Sequence, residues 1–349
     1  MVRRRGFRRD LAMKAVLVGL AALFFFLWRA SSNSCSTEVA AQAQRLEELK
    51  QQQQQQQATS AAAAETPKPK PAEAQGLAPR IPEEKKTWLK SVTFEGEVER
   101  QILSIFDHVL SSPPKSKDAR VIDVGMNLGS FTLHAASLGY RVESFDPQPG
   151  CVRLMHDTSL VALPELKPYV NVYNVGLGPP HVILADDDSC AGDFGMAGEA
   201  KPDGGPRAGG ASHEVAIVPV RHLFQPTWDP MVLVKVDTEG AESVILPQLL
   251  PLAEAGRIEN IVVEVMPRSW AGRGGDTSEA TGALARLQKA ARRTVLLHDD
   301  TPFDMPGLRR VELGDEFGVQ GAAYEGLDFE ALVENRVRVN AGSNVWFMF

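Results

Sequence analysis

Val121-Ile122-Asp123-Val124-Gly125-Met126-Asn127-Leu128-Gly129-Ser130-Phe131 is an apolar run that ends in an acid, passes through a turn with two glycines and opens into a helix-forming stretch. In an α/β sheet this is the first strand, its turn and the start of the first helix, and ligands bind just outside the carboxyl ends of such strands. Gly125 and Gly129 are expected to let the backbone approach a ligand where a Cβ would intrude. They frame Asn127 as Asp-x-Gly-x-Asn-x-Gly. The dinucleotide fingerprint Gly-x-Gly-x-x-Gly is absent.

The flanking chain alternates strands and helices. Val98 to Leu110 has helical apolar spacing. Strand one is Arg120 to Val124, followed by a helix from about Gly129 to Leu138. Strand two is Arg141 to Phe145, with a helix from Gly150 to Leu160, and strand three is Tyr169 to Asn174. Strand four is Met231 to Val236, with a helix from about Gly240 to Leu252. Strand five is Ile258 to Val265, with a helix from Ser278 to Ala291. Strand six is Thr294 to His298, and the chain closes on a strand at Asn344 to Phe349. This order predicts a mostly parallel sheet covered by helices on both faces. Two segments interrupt it. Asp186 to Gly210 is Gly- and Asp-rich without apolar period, either a disordered insertion or a lid. Val182 to Ala185 and the run within His213 to Leu223 are expected to form a hairpin at the sheet edge.

Three motifs carry a family resemblance. The first is the Asp123–Gly129 turn, which resembles motif I of the class I S-adenosylmethionine-dependent methyltransferases, with an Asn in the middle as in the FkbM family. The second, Ser144-Phe145-Asp146-Pro147, looks like that family's Phe-Glu-Pro. The third, Lys235-Val236-Asp237-Thr238-Glu239-Gly240-Ala241-Glu242, is similar to its Lys-x-Asp-x-Glu-Gly-Ala-Glu. The resemblance covers roughly residues 96 to 349. It implies a Rossmann-like class I methyltransferase with a seven-stranded sheet, S-adenosyl-L-methionine as cofactor, and O-methylation of a hydroxyl on a glycan or other hydroxylated acceptor.

The resemblance also distributes roles. Asp146 stands where such enzymes hold the ribose diol, since one carboxylate accepts two hydrogen bonds; it is one methylene shorter than the family's Glu. Asp123 is expected to face the methionine ammonium, Asn127 to orient the turn or bond the carboxylate, and Asn174 to meet the adenine edge. Gly125 and Gly129 complete the cofactor site. Asp237 or Glu239 is the candidate base for the acceptor hydroxyl, a role that typically contributes about 10²–10⁴-fold. Lys235 alternates with Asp237 on one side of the strand, where the two can pair. Glu242 is read as a cap on backbone amides, and Glu264 as a contact to substrate. No metal is expected, because no histidine joins these acids in sequence. His298-Asp299-Asp300 is left without a role.

The first third of the chain has a different composition. Residues 1–10 are a basic tail carrying Arg3, Arg4, Arg5, Arg8 and Arg9. Leu11 to Trp28 is apolar except for Lys14, near the lower limit for a bilayer span of roughly 17 residues. Phe24, Phe25, Phe26 and Trp28 suit the far interface. This predicts a transmembrane signal anchor over residues 11–28 in a single-pass type II membrane protein of the secretory pathway. A secreted form cleaved after Ala30-Ser31-Ser32 is the alternative. Residues 29–95 read as a low-complexity stem, with seven consecutive glutamines and a Pro-Lys alternation that stays extended.

A net charge of −7, with no basic–aromatic stretch in the folded part, argues against a nucleic-acid partner. Cys35, Cys151 and Cys190 fit no zinc spacing and are read as unrelated thiols. In an oxidising lumen Cys151 and Cys190 become able to pair. Two rival readings share the architecture, a nucleotide-dependent oxidoreductase and an inactive tethered binding protein.

Overall fold

The computed structural model describes residues 97–114, 116, 118–186, 190, 212–224, 228, 230–270, 276–297, 307–314 and 322–349. The basic tail, the anchor, the stem, most of the Asp186–Gly210 segment and His298-Asp299-Asp300 lie outside the described residues. Among the described residues, no helix is long and apolar enough to cross a membrane.

The main sheet grows around β1 (Arg120–Val124) and β7 (Met231–Val236), both buried along their whole length. That burial explains their near-continuous apolar sequence, since a parallel strand covered on both faces has no polar side. β2 (Arg141–Phe145) and β3 (Val170–Tyr173) extend the sheet on one side, and β8 (Asn260–Val265) on the other, all parallel. β12 (Ser343–Met348) is antiparallel to both β8 and β9 (Arg293–Leu297). The seven expected strands therefore lie in the order β3-β2-β1-β7-β8-β12-β9, with β12 alone reversed. Two more, β10 (Arg309–Glu312) and β11 (Ala322–Glu325), make nine by continuing past β9 as an antiparallel pair. The fold is a Rossmann-like α/β sheet.

Helices cover both faces. α1 (Glu97–Val109), α2 (Ser130–Ser137) and α3 (Pro149–Leu154) bury Ile105, Phe106, Leu133, Ala136 and Cys151 against Val121, Val142 and Trp346. The chain continues from α3 through a π-helical turn at Met155–Ser159. On the opposite face α4 (Glu242–Glu254), α5 (Pro267–Trp270), α6 (Thr277–Ala290) and α7 (Phe329–Val339) pack Leu246, Leu249, Trp270, Leu284 and Leu332 onto Ile122, Val234, Val263 and Phe347. Side chains alternate between the faces along each strand with period two, so both cores come from the same short runs.

The expected edge hairpin is instead part of a separate sheet. β5 (His181–Asp186) pairs with β6 (Ser212–Val218), and β6 also takes the two-residue β4 (Gly176–Leu177) as a parallel neighbour. The chain leaves the main sheet at β3, and β4 begins the second one three residues later.

Candidate active site

The strand order reverses direction of growth between β1 and β7, and ligands of open α/β sheets bind at such a switch point, outside the carboxyl ends of the strands. A cavity of about 490 Å³ lies there. Gly125, Met126 and Asn127 form one wall, Asp146 and Pro147 another, and Lys235, Asp237, Glu239 and Glu264 a third. Leu177 and Ile217 of the second sheet join Phe145 on its apolar side.

The two glycines answer to the protein as well as to the cavity. Gly125 has φ +83°, and a Cβ there would run into the backbone carbonyl of Asp237. The turn after β1 can therefore lie against the turn after β7 only with glycine in this place. Gly129 has φ +81°, and its Cβ would strike the Met155 methyl. It does not line the cavity, so its need is the left-handed backbone of the turn rather than ligand approach. Asn127 takes the left-handed conformation, φ 51°, and is one of the lining residues.

Asp146 closes the turn from the β2 side. Its Oδ2 accepts from the Asn127 amide and its Oδ1 from the Gln148 amide, each at 2.8 Å. Each oxygen keeps a second lone pair for a ligand. Burial is the main influence on this carboxyl and pushes its pKa up to about 6, against the two amide bonds, which lower it. Asn174 is placed differently from its expected role. It does not line the cavity; its Nδ2 donates to the Asp146 carbonyl oxygen at 3.0 Å, holding the loop from behind. A position at a strand end does not reveal which way a side chain turns, and the apolar wall of Phe145, Leu177 and Ile217 occupies that part of the cavity.

Asp123 is buried beneath the cavity rather than in its lining. Thr132 Oγ1 donates to its Oδ2 at 2.6 Å and lies 2.7 Å from Ser144 Oγ. The β1–β7 register sets Asp123 beside Lys235, whose Nζ stands 3.9 Å from Asp123 Oδ1 and donates to Asp237 Oδ2 at 3.0 Å. Burial raises the Asp123 pKa, opposed by Lys235 and Thr132. Burial also pulls the Lys235 ammonium down, but Asp237 and Asp123 outweigh it and hold the pKa above the ordinary lysine range. Lys235 is therefore a fixed cation between two carboxylates, with the Phe131 ring 5.0 Å away.

The turn after β7 is held by Glu242, the first residue of α4. Its Oε1 accepts from the Thr238 amide at 2.7 Å and the Thr238 hydroxyl at 2.6 Å, while Oε2 accepts from the Gly240 amide at 3.0 Å and the Trp270 indole at 3.2 Å. This is the amide-capping role read from sequence, extended by a partner on α5. With Glu242 as anchor, Glu239 adopts φ 55° and enters the cavity wall beside Asp237 and Glu264.

Sequence reasoning did not single out Thr132, Ser144 or Glu99, which also lines the cavity. Thr132 falls on the α2 face turned to β1 and β2, a placement that helical period alone allows but does not select. A further difference concerns the cysteines. Cys151 and Cys190 form a disulfide with a Cα–Cα distance of 4.5 Å, in place of the separate thiols expected. Spacing along the chain carries no information about α3 and the end of β5 coming together. The bridge lies against the site, with Cys190 Sγ 3.6 Å from Asn127 Oδ1.

No protein-family model and no curated protein matches the chain. Among solved structures it is similar to a precorrin-6y C5,15-methyltransferase from Geobacter metallireducens GS-15, at 10% identity over 74% of this chain and 92% of the other, with a TM-score of 0.31. It is also similar to a geranyl diphosphate C-methyltransferase from Streptomyces coelicolor A3(2), at 14% identity over 77% of this chain and 83% of the other, with a TM-score of 0.33.

Proposed function

We propose that this chain is an S-adenosylmethionine-dependent O-methyltransferase of FkbM type. The observation that carries the reading is the cavity at the β1–β7 switch point, closed on one side by the buried Asp146 carboxylate and on the other by Asp237. Asp146 would take the ribose diol, the Gly125–Asn127 turn the methionine end, and the wall of Phe145, Leu177 and Ile217 the adenine. Asp123, beneath the cavity beside Lys235, would act on the methionine ammonium through water and through Lys235. Methyl transfer is an in-line displacement, so alignment supplies much of the acceleration. Asp237, ion-paired to Lys235, accepts the proton of the acceptor hydroxyl. The acceptor belongs to the glycans or other hydroxylated compounds.

The same proposal makes the protein a single-pass type II membrane enzyme of the secretory pathway, or a secreted one if the leader is cleaved. The Cys151–Cys190 bridge supports that side of the membrane, since disulfides persist in oxidising compartments.

Calorimetry of the full-length chain with S-adenosylhomocysteine tests the cofactor reading, with NADH as control. Binding of the first alone is expected, and Asp146→Ala weakens it by about tenfold or more, the cost of one or two charge-assisted hydrogen bonds. Asp237→Asn leaves that binding in place and abolishes turnover once an acceptor is in hand. A folded chain that binds NADH and not S-adenosylhomocysteine would overturn the proposal.

A further inference from the structure

The register that pairs Val236 with Val263 brings Asp237 and Glu264 side by side at the ends of β7 and β8. One carboxylate oxygen from each of Asp237, Glu239 and Glu264 lies within 4.8 Å of the others. The cation beside them, Lys235, is engaged by Asp237 and Asp123. Glu264 Oε2 is buried with no hydrogen-bond partner. As an ionised group, Glu264 would leave that oxygen an acceptor without a donor, facing two other carboxylates. As a carboxylic acid it becomes a donor, with Asp237 within its reach.

Resting on the methyltransferase reading above, we propose that Glu264 is a positioning residue that carries a proton and donates it as a hydrogen bond to Asp237. Asp237 is then held from two sides, by Lys235 and by Glu264, and aimed at the acceptor. In the transfer, the acceptor oxygen bonds to the methyl carbon as the carbon–sulfur bond breaks. The electron pair goes to sulfur and leaves a neutral thioether. The hydroxyl proton passes to Asp237 and from there to water, which its 37% exposed side chain meets. Glu264 keeps its own proton throughout.

The charged groups around Glu264 are Lys235 and Asp237 at the end of β7, Glu239 in the turn and Glu242 at the head of α4. β12 places the uncharged Asn344 opposite it. Burial, then the carboxylates of Asp237, Glu242 and Glu239, push Glu264 up to about 9.

Infrared spectroscopy of the full-length chain tests this through the carbonyl stretch of a buried carboxylic acid. The difference between wild type and Glu264→Gln isolates the Glu264 band, expected at neutral pH and lost as pH rises through about 9. Asp237→Asn removes a neighbouring negative charge and moves that loss to lower pH. Thermal melting gives a second readout. A carboxyl raised from 4.5 stabilises the fold fully below 4.5 and loses that contribution as pH rises through about 9. The folding constant should fall by up to about tenfold per pH unit in that window, and Glu264→Gln flattens the slope. Absence of the difference band, or an unchanged slope in Glu264→Gln, overturns the proposal. So does a melting temperature raised by magnesium only when Asp237 and Glu264 are both present, since a cation would then join them. None of these readouts needs the cofactor. Their failure leaves the methyltransferase reading standing, whereas lost S-adenosylhomocysteine binding with the band intact strikes that reading alone.

Discussion

Asp146 shows how one residue links burial to pH dependence. Its carboxyl is raised from 3.8 to about 6, mainly by burial. Its contribution to fold stability is therefore fully present below 3.8 and lost as pH rises through about 6. A ligand that donates two hydroxyls requires the ionised form, so binding has the opposite sign. The affinity for S-adenosylhomocysteine is expected to fall by up to about tenfold for each pH unit below about 6. Calorimetry across this range checks it, with Asp146→Asn predicted to bind weakly and without that slope. A flat wild-type profile would remove Asp146 from the ribose. The Asn127 and Gln148 amides fix both oxygens of this short carboxylate. It therefore presents a preset acceptor rather than a long arm that reaches.

At the scale of elements, the turn between β7 and α4 decides whether the site exists. Asp237 and Glu239 stand on it, and Glu242 fastens it to Trp270 of α5. Glu242→Ala strips acceptors from a buried and a part-buried amide, a hydroxyl and an indole, a loss on the order of 3 kcal/mol. Urea unfolding should report that loss, and turnover should fall with it because Asp237 loses its setting. Stability within about 0.5 kcal/mol of wild type, the range of ordinary surface changes, would mean that the clamp is unimportant.

Much of this element scale was legible in the sequence. β1 and β7 are legible at their observed bounds because each is a buried, mostly apolar run stopped by a turn; β2, Arg-Val-Glu-Ser-Phe, is legible by its place between the first helix and Asp146-Pro147 rather than by an apolar run. β10 and β11 escaped that reading; β10 is largely exposed and carries Arg309, Arg310 and Glu312, so no apolar alternation marks it. The second sheet escaped in another way. β4 has only two residues, too few for any period, yet it sets Leu177 in the cavity wall. The acids of the site were visible as types at positions, but their division into lining and support was not. Asp123, one residue before the end of β1, and Asn174, one residue past β3, turn to neighbouring protein groups, which depends on packing from Thr132 and Asp146 that no local pattern carries.

For the molecule as a whole, the Cys151–Cys190 bridge joins compartment to stability. It spans 39 residues, and constraining a loop of that length in the unfolded chain contributes about 4 kcal/mol in the chain-entropy account. Domains are commonly stable by only about 5–15 kcal/mol, so a loss of this size removes a large share. Cys151→Ser with Cys190→Ser is expected to lower the denaturation midpoint, with a rise in the denaturant slope if the unbridged chain unfolds to a more expanded state. Because the bridge touches Asn127, which lines the cavity and donates to Asp146, S-adenosylhomocysteine binding should weaken in the same variant even where it remains folded. Weakened binding without lost stability would make the bridge a local brace for the cofactor turn. Lost stability with unchanged affinity would make it a staple of the fold alone. The luminal placement stands or falls on a separate reading, the state of these two thiols in the full-length chain alkylated at the moment of cell lysis. Protected Cys151 and Cys190 agree with a secretory-side domain, and freely alkylated ones would return it to a reducing compartment, where the remaining contacts must hold the fold unaided.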